Sequence, residues 1–347
     1  LIVLGVETTC DETAVSVLRD GRDVLAEELA TQMAHEAFGG VVPEVAARAH
    51  LELLPELFER VMAKAGVAPR DLGGIAVAAG PGLLGALLVG VSWTKGLAAG
   101  LKVRWVGVSH LEGHVFANRL AFPDLAPPFV ALVVSGGHTL LALVRDWGDY
   151  VGLGETRDDA CGEAFDKVAK ILGLGYPGGP AIGRVAEKGR RDAVRFPRGM
   201  RLHDGFDFSY SGLKTAVALH VQERGELSER DRADIAASFE EAAVDVLVTK
   251  ATAACRRLGV NTLAVGGGVA ANARLRELLD LESARGLRCL YPPKNLCTDN
   301  ASMIAAVGHF YLERGAESPA WIPAVARWPL WPDGKVFAWE GARSGLD

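Results

Sequence analysis

Two histidines four residues apart carry the sharpest chemical signal in this chain: His110 and His114, in His110-Leu111-Glu112-Gly113-His114. At i and i+4 they share one helix face, and two imidazoles placed so suit a metal such as zinc or iron. The spacing names no third ligand, and a pair of ordinary core or surface histidines has the same pattern. Glu112 follows the first histidine by two residues, not one, so the HExxH arrangement of zincin proteases is not met.

Two further stretches suit phosphate or nucleotide chemistry. Val130 to Val134 is an apolar strand that ends in the tight turn Ser135-Gly136-Gly137, and Thr139 begins a returning strand. Turns of this kind bring backbone N–H groups close to phosphate oxygens. Gly266-Gly267-Gly268 lies between a strand and a helix, where it either admits a nucleotide or simply makes a tight turn. Its order is not GxGxxG, so hydride transfer has no support. Asp159, Glu163 and Asp166, continued by Lys170, form an acidic stripe that would ordinarily be a solvated helix face. Seven bases between Arg184 and Arg201 face only Glu187 and Asp192, a local electropositive segment suited either to a phosphate backbone or to plain solvation.

These residues need a frame, and the chain supplies it twice. Strands are expected at 1–7, 13–18 and 24–30, then a helix from Pro43 to about residue 65 that Pro55 kinks or divides. A strand at 74–79, a small-residue helix at 84–100, a strand at 103–108 and a helix capped by Ser109 follow. After a proline-rich joint at 123–128 the theme returns: strands at 129–135, 139–145 and 150–153, a helix at 158–174, and a weakly periodic stretch at 175–212. A long helix at 229–258, a strand at 262–265, another helix, a strand at 288–291 and a helix at 299–313 complete it. The two hairpins align without a gap, Thr13 on Thr139 and Arg19-Asp20 on Arg145-Asp146, an offset of 126 residues. That distance indicates a duplicated α/β domain and not a solenoid.

The totals agree. The chain has 347 residues, 49% of them apolar, enough for two lobes and too apolar for disorder. A net charge of −6 confines any nucleic-acid site to a local patch. Five cysteines with no CxxC pair favour a reduced, cytoplasmic setting. No signal peptide is expected, because Glu7 breaks the apolar start. The run 83–101 is expected to be a buried helix and not a membrane span. Four tryptophans, 321, 328, 331 and 339, sit in a tail expected to wrap on the body or on a partner.

Together these segments resemble the bacterial TsaD family. The resemblance rests on Gly5 to Thr13, Gly39-Gly40-Val41-Val42-Pro43-Glu44, Ala79-Gly80-Pro81-Gly82-Leu83 and His110 to His114. It continues through Val134 to Thr139, Gly162 to Lys167, Tyr176 to Pro180, Phe208 to Lys214 and Cys297-Thr298-Asp299-Asn300. It implies a duplicated actin-like ATPase (sugar kinase/Hsp70) fold with two lobes around a nucleotide cleft. The lobes would be 1–127 and 128–315, with a helical and basic insertion at 155–215, a tail at 316–347, and the final helix 299–313 packing on the first lobe. It implies transfer of a threonylcarbamoyl group from threonylcarbamoyl-AMP to N6 of the adenosine following the anticodon of tRNA. His110, His114 and Asp299 would hold the metal, iron (Fe2+) or else zinc. Val133, Val134, Ser135, Gly136, Gly137, Asp166, Gly179 and Asn272 would bind the adenylate, and Asp11 and Glu12 would be the catalytic carboxylates. Some members carry an aspartate where this chain has Gly183. The implied partners are the paralogue TsaB and the ATPase TsaE, with no membrane. The rivals are an actin-like small-molecule kinase, a metalloendopeptidase and a non-catalytic scaffold.

Overall fold

The structure is a computed structural model that describes residues 1–32, 35, 40–201 and 205–331. Gly39, Trp339 and the tail from 332 on lie outside the described residues.

The described residues divide into two compact units, one made of residues 1–124 and 299–331, the other of Leu125–Thr298. In the first, β1 (Ile2–Glu7), β2 (Glu12–Arg19), β3 (Asp23–Thr31), β4 (Gly74–Gly80) and β5 (Trp105–Ser109) form one sheet in the order β3-β2-β1-β4-β5. β1 to β3 pair antiparallel, and β4 and β5 are added parallel. Nearly every residue of β1 and all of β4 are buried, so these strands are apolar throughout and not alternating, as expected for a sheet covered on both faces.

In the second unit, β6 (Phe129–Val134), β7 (Thr139–Asp146), β8 (Asp149–Glu155), β9 (Thr262–Gly266) and β10 (Arg288–Leu290) repeat the plan in the order β10-β9-β6-β7-β8. Antiparallel and parallel pairings fall in the same places. The duplication is therefore real, but the gapless alignment is not. The last pairs of the two hairpins are Glu7–Ala14 and Val134–Thr139, which enclose residues 8–13 in one and 135–138 in the other. Thr139 thus corresponds to Ala14, not Thr13. A one-residue slip would turn every side chain to the wrong face.

The first unit's helices are α1 (Pro43–Ala65), α2 (Leu84–Leu101) and α3 (His110–Ala121). Pro55 lies inside α1 without dividing it. Ser109 occupies the N-cap of α3 but makes no side-chain cap bond. The second unit has α4 (Cys161–Leu172), α5 (Gly178–Ala186), α6 (Ser211–Arg224), α7 (Glu229–Leu258), α8 (Ala273–Ala284) and the single turn α9 (Lys294–Cys297). α5 falls in the stretch expected to be irregular. Its three glycines and proline weaken the helical pattern, and packing on α7 supplies what propensity lacks.

The last helix, α10 (Ala301–Glu313), is almost wholly buried and packs on β1, β2, β4 and β5 of the first sheet. Gly5 permits this: a Cβ there would lie 2.2 Å from the carbonyl oxygen of Ala301. Three hydrogen bonds to two acceptor oxygens fix the start of α10. Asn300 Oδ1 takes the N–H of Met303 at 2.9 Å, and Glu27 Oε1 takes those of Ala301 and Ser302 at 2.8 and 2.9 Å. A carboxylate at a helix N-terminus is favourable, and here it anchors the residues next to Asp299. Residues 316–331 then return along the same unit. Ser318 N–H donates to Trp105 O at 2.8 Å, Val325 N–H to Ala79 O at 2.8 Å, and Trp328 is buried while Trp321 is exposed.

Candidate metal centre and nucleotide-binding turns

α3 presents His110 and His114 from one face, and the turn before α10 brings Asp299 to them across 185 residues of sequence. One ligand atom from each lies within 4.8 Å of the others. His110 Nε2 is 3.5 Å and His114 Nε2 3.4 Å from Asp299 Oδ1. The imidazole rings stand 4.7 Å apart at 76°.

The residues fit a cation. Both ring nitrogens of His114 are buried without a well-directed hydrogen bond, a costly state that a metal ligated by a neutral imidazole relieves. Burial lowers the pKa of His114, which keeps it neutral. His110 is set differently. Its Nδ1 lies 2.9 Å from Glu7 Oε2 and 3.3 Å from Thr9 Oγ1. Glu7 is itself held by the Thr9 N–H, 2.6 Å from Oε1. Hydrogen bonding to Glu7 assigns the proton to Nδ1 and leaves Nε2 facing Asp299, an outer carboxylate that orients a ligating histidine. Burial pulls the His110 pKa down, but Asp299 and Glu7 outweigh it and push it up to about 9. Without a cation the ring holds a second proton that metal binding would displace.

Asp11 and Glu12 lie where the β1–β2 loop enters β2. Burial first, then Asp299 and Asp11, push the Glu12 pKa up to about 9, so near neutrality this carboxyl is a proton donor. Burial and the same carboxylates drive the Cys10 thiol far up, which leaves it inert. His50, from α1, braces the loop from behind: its Nε2 is 3.0 Å from Cys10 O and its Nδ1 2.7 Å from Thr13 Oγ1. Glu112 points elsewhere, accepting from Tyr311 Oη at 2.9 and 3.1 Å.

The second unit gathers the other expected residues. After Val133 and Val134 the turn is closed by Ser135 N–H to His138 O at 2.8 Å and His138 N–H to Ser135 Oγ at 3.2 Å. Nothing lies within 4 Å of where a Cβ would sit on Gly136 or Gly137, so their backbone is open to a ligand. α4 begins against this turn: Gly162 donates to Ser135 O at 3.2 Å, and a Cβ on it would strike that oxygen. Asp166 Oδ1 accepts the N–H of Gly178 at 2.8 Å and so pins the Gly178-Gly179-Pro180 turn. The rest of the acidic stripe is separate, since Asp159 and Glu163 pair with Lys167 and Asp159 also with Lys214. Asn272 Oδ1 caps α8 through Leu275 N–H at 2.9 Å, and its Nδ2 donates to Glu240 Oε1 at 2.7 Å. Of the glycine run, Gly267 is structural, with φ of 93° and Val134 O 2.3 Å from a would-be Cβ; Gly268 is open.

The basic segment is largely spent within its own unit. Arg190 pairs with Asp234, Arg191 with Glu277, and Arg198 and Arg201 with Asp245. Arg184, Lys188 and Arg195 are exposed, and no ion pair of theirs occurs among the described residues. Sequence reasoning gave no role to Glu7, Thr9, Glu27 or Glu240. A glutamate closing an apolar strand at Glu7 was the one signal available.

Two five-stranded sheets of the same mixed order, each within its own α/β unit, define an actin-like ATPase fold. Solved structures agree on the fold. HypF from T. kodakarensis superposes with a TM-score of 0.61 at 17% identity, covering 90% of this chain and 48% of that one. Component A of the Acidaminococcus fermentans (R)-2-hydroxyglutaryl-CoA dehydratase gives 0.53 at 15% identity, covering 89% and 98%. Within that class the chain belongs to the TsaD family, the tRNA N6-adenosine threonylcarbamoyltransferases, whose profile matches residues 23–306. A protein of that name from Clostridium beijerinckii is 48% identical over 321 residues, 91% of this chain and 94% of its own length. One from Clostridioides difficile is 48% identical over 318 residues, 91% and 94%.

Proposed function

We propose that this chain transfers the threonylcarbamoyl group of threonylcarbamoyl-AMP to N6 of the adenosine following the anticodon, in tRNAs that read codons beginning with A. The observation that carries this reading, beside family membership, is the convergence of His110, His114 and Asp299 from distant parts of the sequence. A small-molecule kinase of the same fold has no use for that triad. A zincin-like peptidase would need Glu112 free as a base, and Tyr311 holds it.

The donor is a mixed anhydride of a carbamate and a phosphate, already activated, so no covalent enzyme intermediate is required. The open backbone at Gly136 and Gly137 supplies N–H donors for its phosphate. Asp166 holds the Gly179 turn in place for the adenylate, and Asn272 fixes the start of α8 beside it. His110, His114 and Asp299 would hold a divalent ion, iron in our reading with zinc the alternative, which supplies Lewis-acid polarisation of a donor oxygen when bound. Glu7 keeps His110 Nε2 free for that role. Asp11 is our choice for accepting the amine proton, and protonated Glu12 donates a hydrogen bond to developing charge.

The reading includes a cytoplasmic setting and assembly with TsaB and TsaE. Exposed Leu84 and Leu88 on α2 and Leu51 on α1 offer an apolar surface for TsaB. α2 is long and apolar enough to cross a membrane, and only a third of it is buried, on the face that packs on α1 and β4, so the fully buried helix expected from sequence is not what forms. The test is to combine purified protein, the two accessory proteins, transcript tRNA and threonylcarbamoyl-AMP, and to read the nucleosides by mass spectrometry. Threonylcarbamoyladenosine is expected with iron or zinc and lost in His110→Ala. Its absence with both metals would refute the reading.

A further inference from the structure

Glu240 sits in the middle of α7, its side chain buried. Unpaired carboxylates are seldom buried, and its one hydrogen-bond partner among the described residues is neutral, Asn272 Nδ2 at 2.7 Å. Burial raises its pKa, and the Asn272 bond pulls it back toward ionisation. Its Oε1 is turned toward α5. Gly179 and Gly183 lie four residues apart on one face of that helix. Nothing approaches a would-be Cβ on Gly179, and the nearest atom to one on Gly183 is Glu240 Oε1, at 3.8 Å. Gly268, just before the segment that ends at Asn272, is open as well. A buried carboxylate is thus aimed at a helix face cut down to backbone, beside the amide that caps α8.

We propose that Glu240 is the specificity residue that accepts the ribose hydroxyls of the adenylate in the space left by Gly179 and Gly183, with Asn272 holding the carboxylate in place. This rests on the adenylate reading given above. The chemistry favours a vicinal diol. An ionised carboxylate is acceptor-only and takes two O–H donors at once, and such donors replace the water that burial removed. A phosphate would be repelled, and an apolar group would leave the carboxylate unsatisfied. Arg274 and Arg191, the nearest cations, already pair with Glu241 and Glu277.

The test is calorimetric titration of the full chain with AMP, 2′-deoxy-AMP, 3′-deoxy-AMP and 2′,3′-dideoxy-AMP, for wild type, Glu240→Gln and Glu240→Ala, each variant checked by thermal melting. Wild type should prefer AMP to the dideoxy nucleotide by about tenfold or more, the value of hydrogen bonds to a charged group. In Glu240→Ala the preference should fall to about twofold or less, through weaker AMP binding alone, on the same principle. Glu240→Gln should lie between. The two monodeoxy compounds show which hydroxyl is read. Wild type that binds AMP and the dideoxy nucleotide equally, or a preference that survives in both variants, overturns the ribose role and leaves the adenylate reading standing. Wild type that binds no AMP overturns both.

Discussion

Glu7 Oε2 lies 2.9 Å from His110 Nδ1, and both residues are buried. A strand end in the first sheet thus sets which nitrogen of a helix-borne histidine is free to ligate. Glu7→Gln keeps the shape but lets the amide present either face, and the charge is lost. Metal affinity should fall by about 10–100-fold, the usual cost of losing such an outer partner. Competition against a chromophoric chelator measures it. An unchanged affinity would mean that Glu7 is only filling space.

Glu12 gives a pH dependence. Its folded pKa, raised to about 9, lies above the ordinary 4.5. Below 4.5 both states are protonated and nothing is lost. Between the two values the folded state holds a proton that the unfolded state releases, so stability falls as pH rises, and the loss is complete above 9. Glu12→Gln removes that loss. In excess chelator its Tm should match wild type at pH 4 and exceed it at pH 8.5 by at least about 2–4 °C, the equivalent of one kcal/mol. Equal melting at both pH values would show that the group ionises normally.

The helix-surface prediction concerns Leu88, which is 48% exposed on α2. Val89, the next residue, packs partly into the first unit's core, so a charge there would disturb folding and report nothing about partners. Leu88→Arg should abolish co-elution with TsaB while the Tm stays within about 2 °C of wild type, as surface changes usually do. Retained co-elution places that partner on another face.

For tRNA, the bases of the 184–201 segment with no ion pair among the described residues are Arg184, Lys188 and Arg195. Replacing all three with Gln should flatten the plot of log affinity against log salt by about two to three units, slightly under one per phosphate contact. Arg198→Gln, which loses a partner to Asp245 within the fold, should leave the slope unchanged. A wild-type slope in the triple variant would assign the tRNA surface elsewhere.

Much of this was legible in sequence because it depends on local chemistry. Alternation and punctuation gave both three-strand meanders, and the i, i+4 histidines gave two of the three candidate metal ligands. What was hidden depends on long-range packing. Helix spacing cannot say which carboxylate completes the triad, and the resemblance supplied Asp299. The two-residue difference between hairpin loops is invisible to a gapless alignment that scores matching threonines. α5 was missed because its glycines, poor for a helix, leave the room that faces Glu240. The internal ion pairs of the basic segment were invisible because partners such as Asp234 and Asp245 lie 44 residues or more along the chain.

The second unit is inserted into the first, whose sheet is written in residues 1–109 while its covering helix begins at Ala301. A ribosome therefore releases the five strands long before the helix that buries Gly5 and its neighbours. Domains that fold in order of synthesis usually finish from the N-terminus; here the second unit can close first and the older one must wait. The waiting sheet exposes an apolar face to chaperones or to aggregation. Asp299 arrives with the same late segment, so a chain stalled or clipped before it has both histidines and no complete triad. Metal retention would then report a chain made at least as far as Asp299 and the helix that seats it.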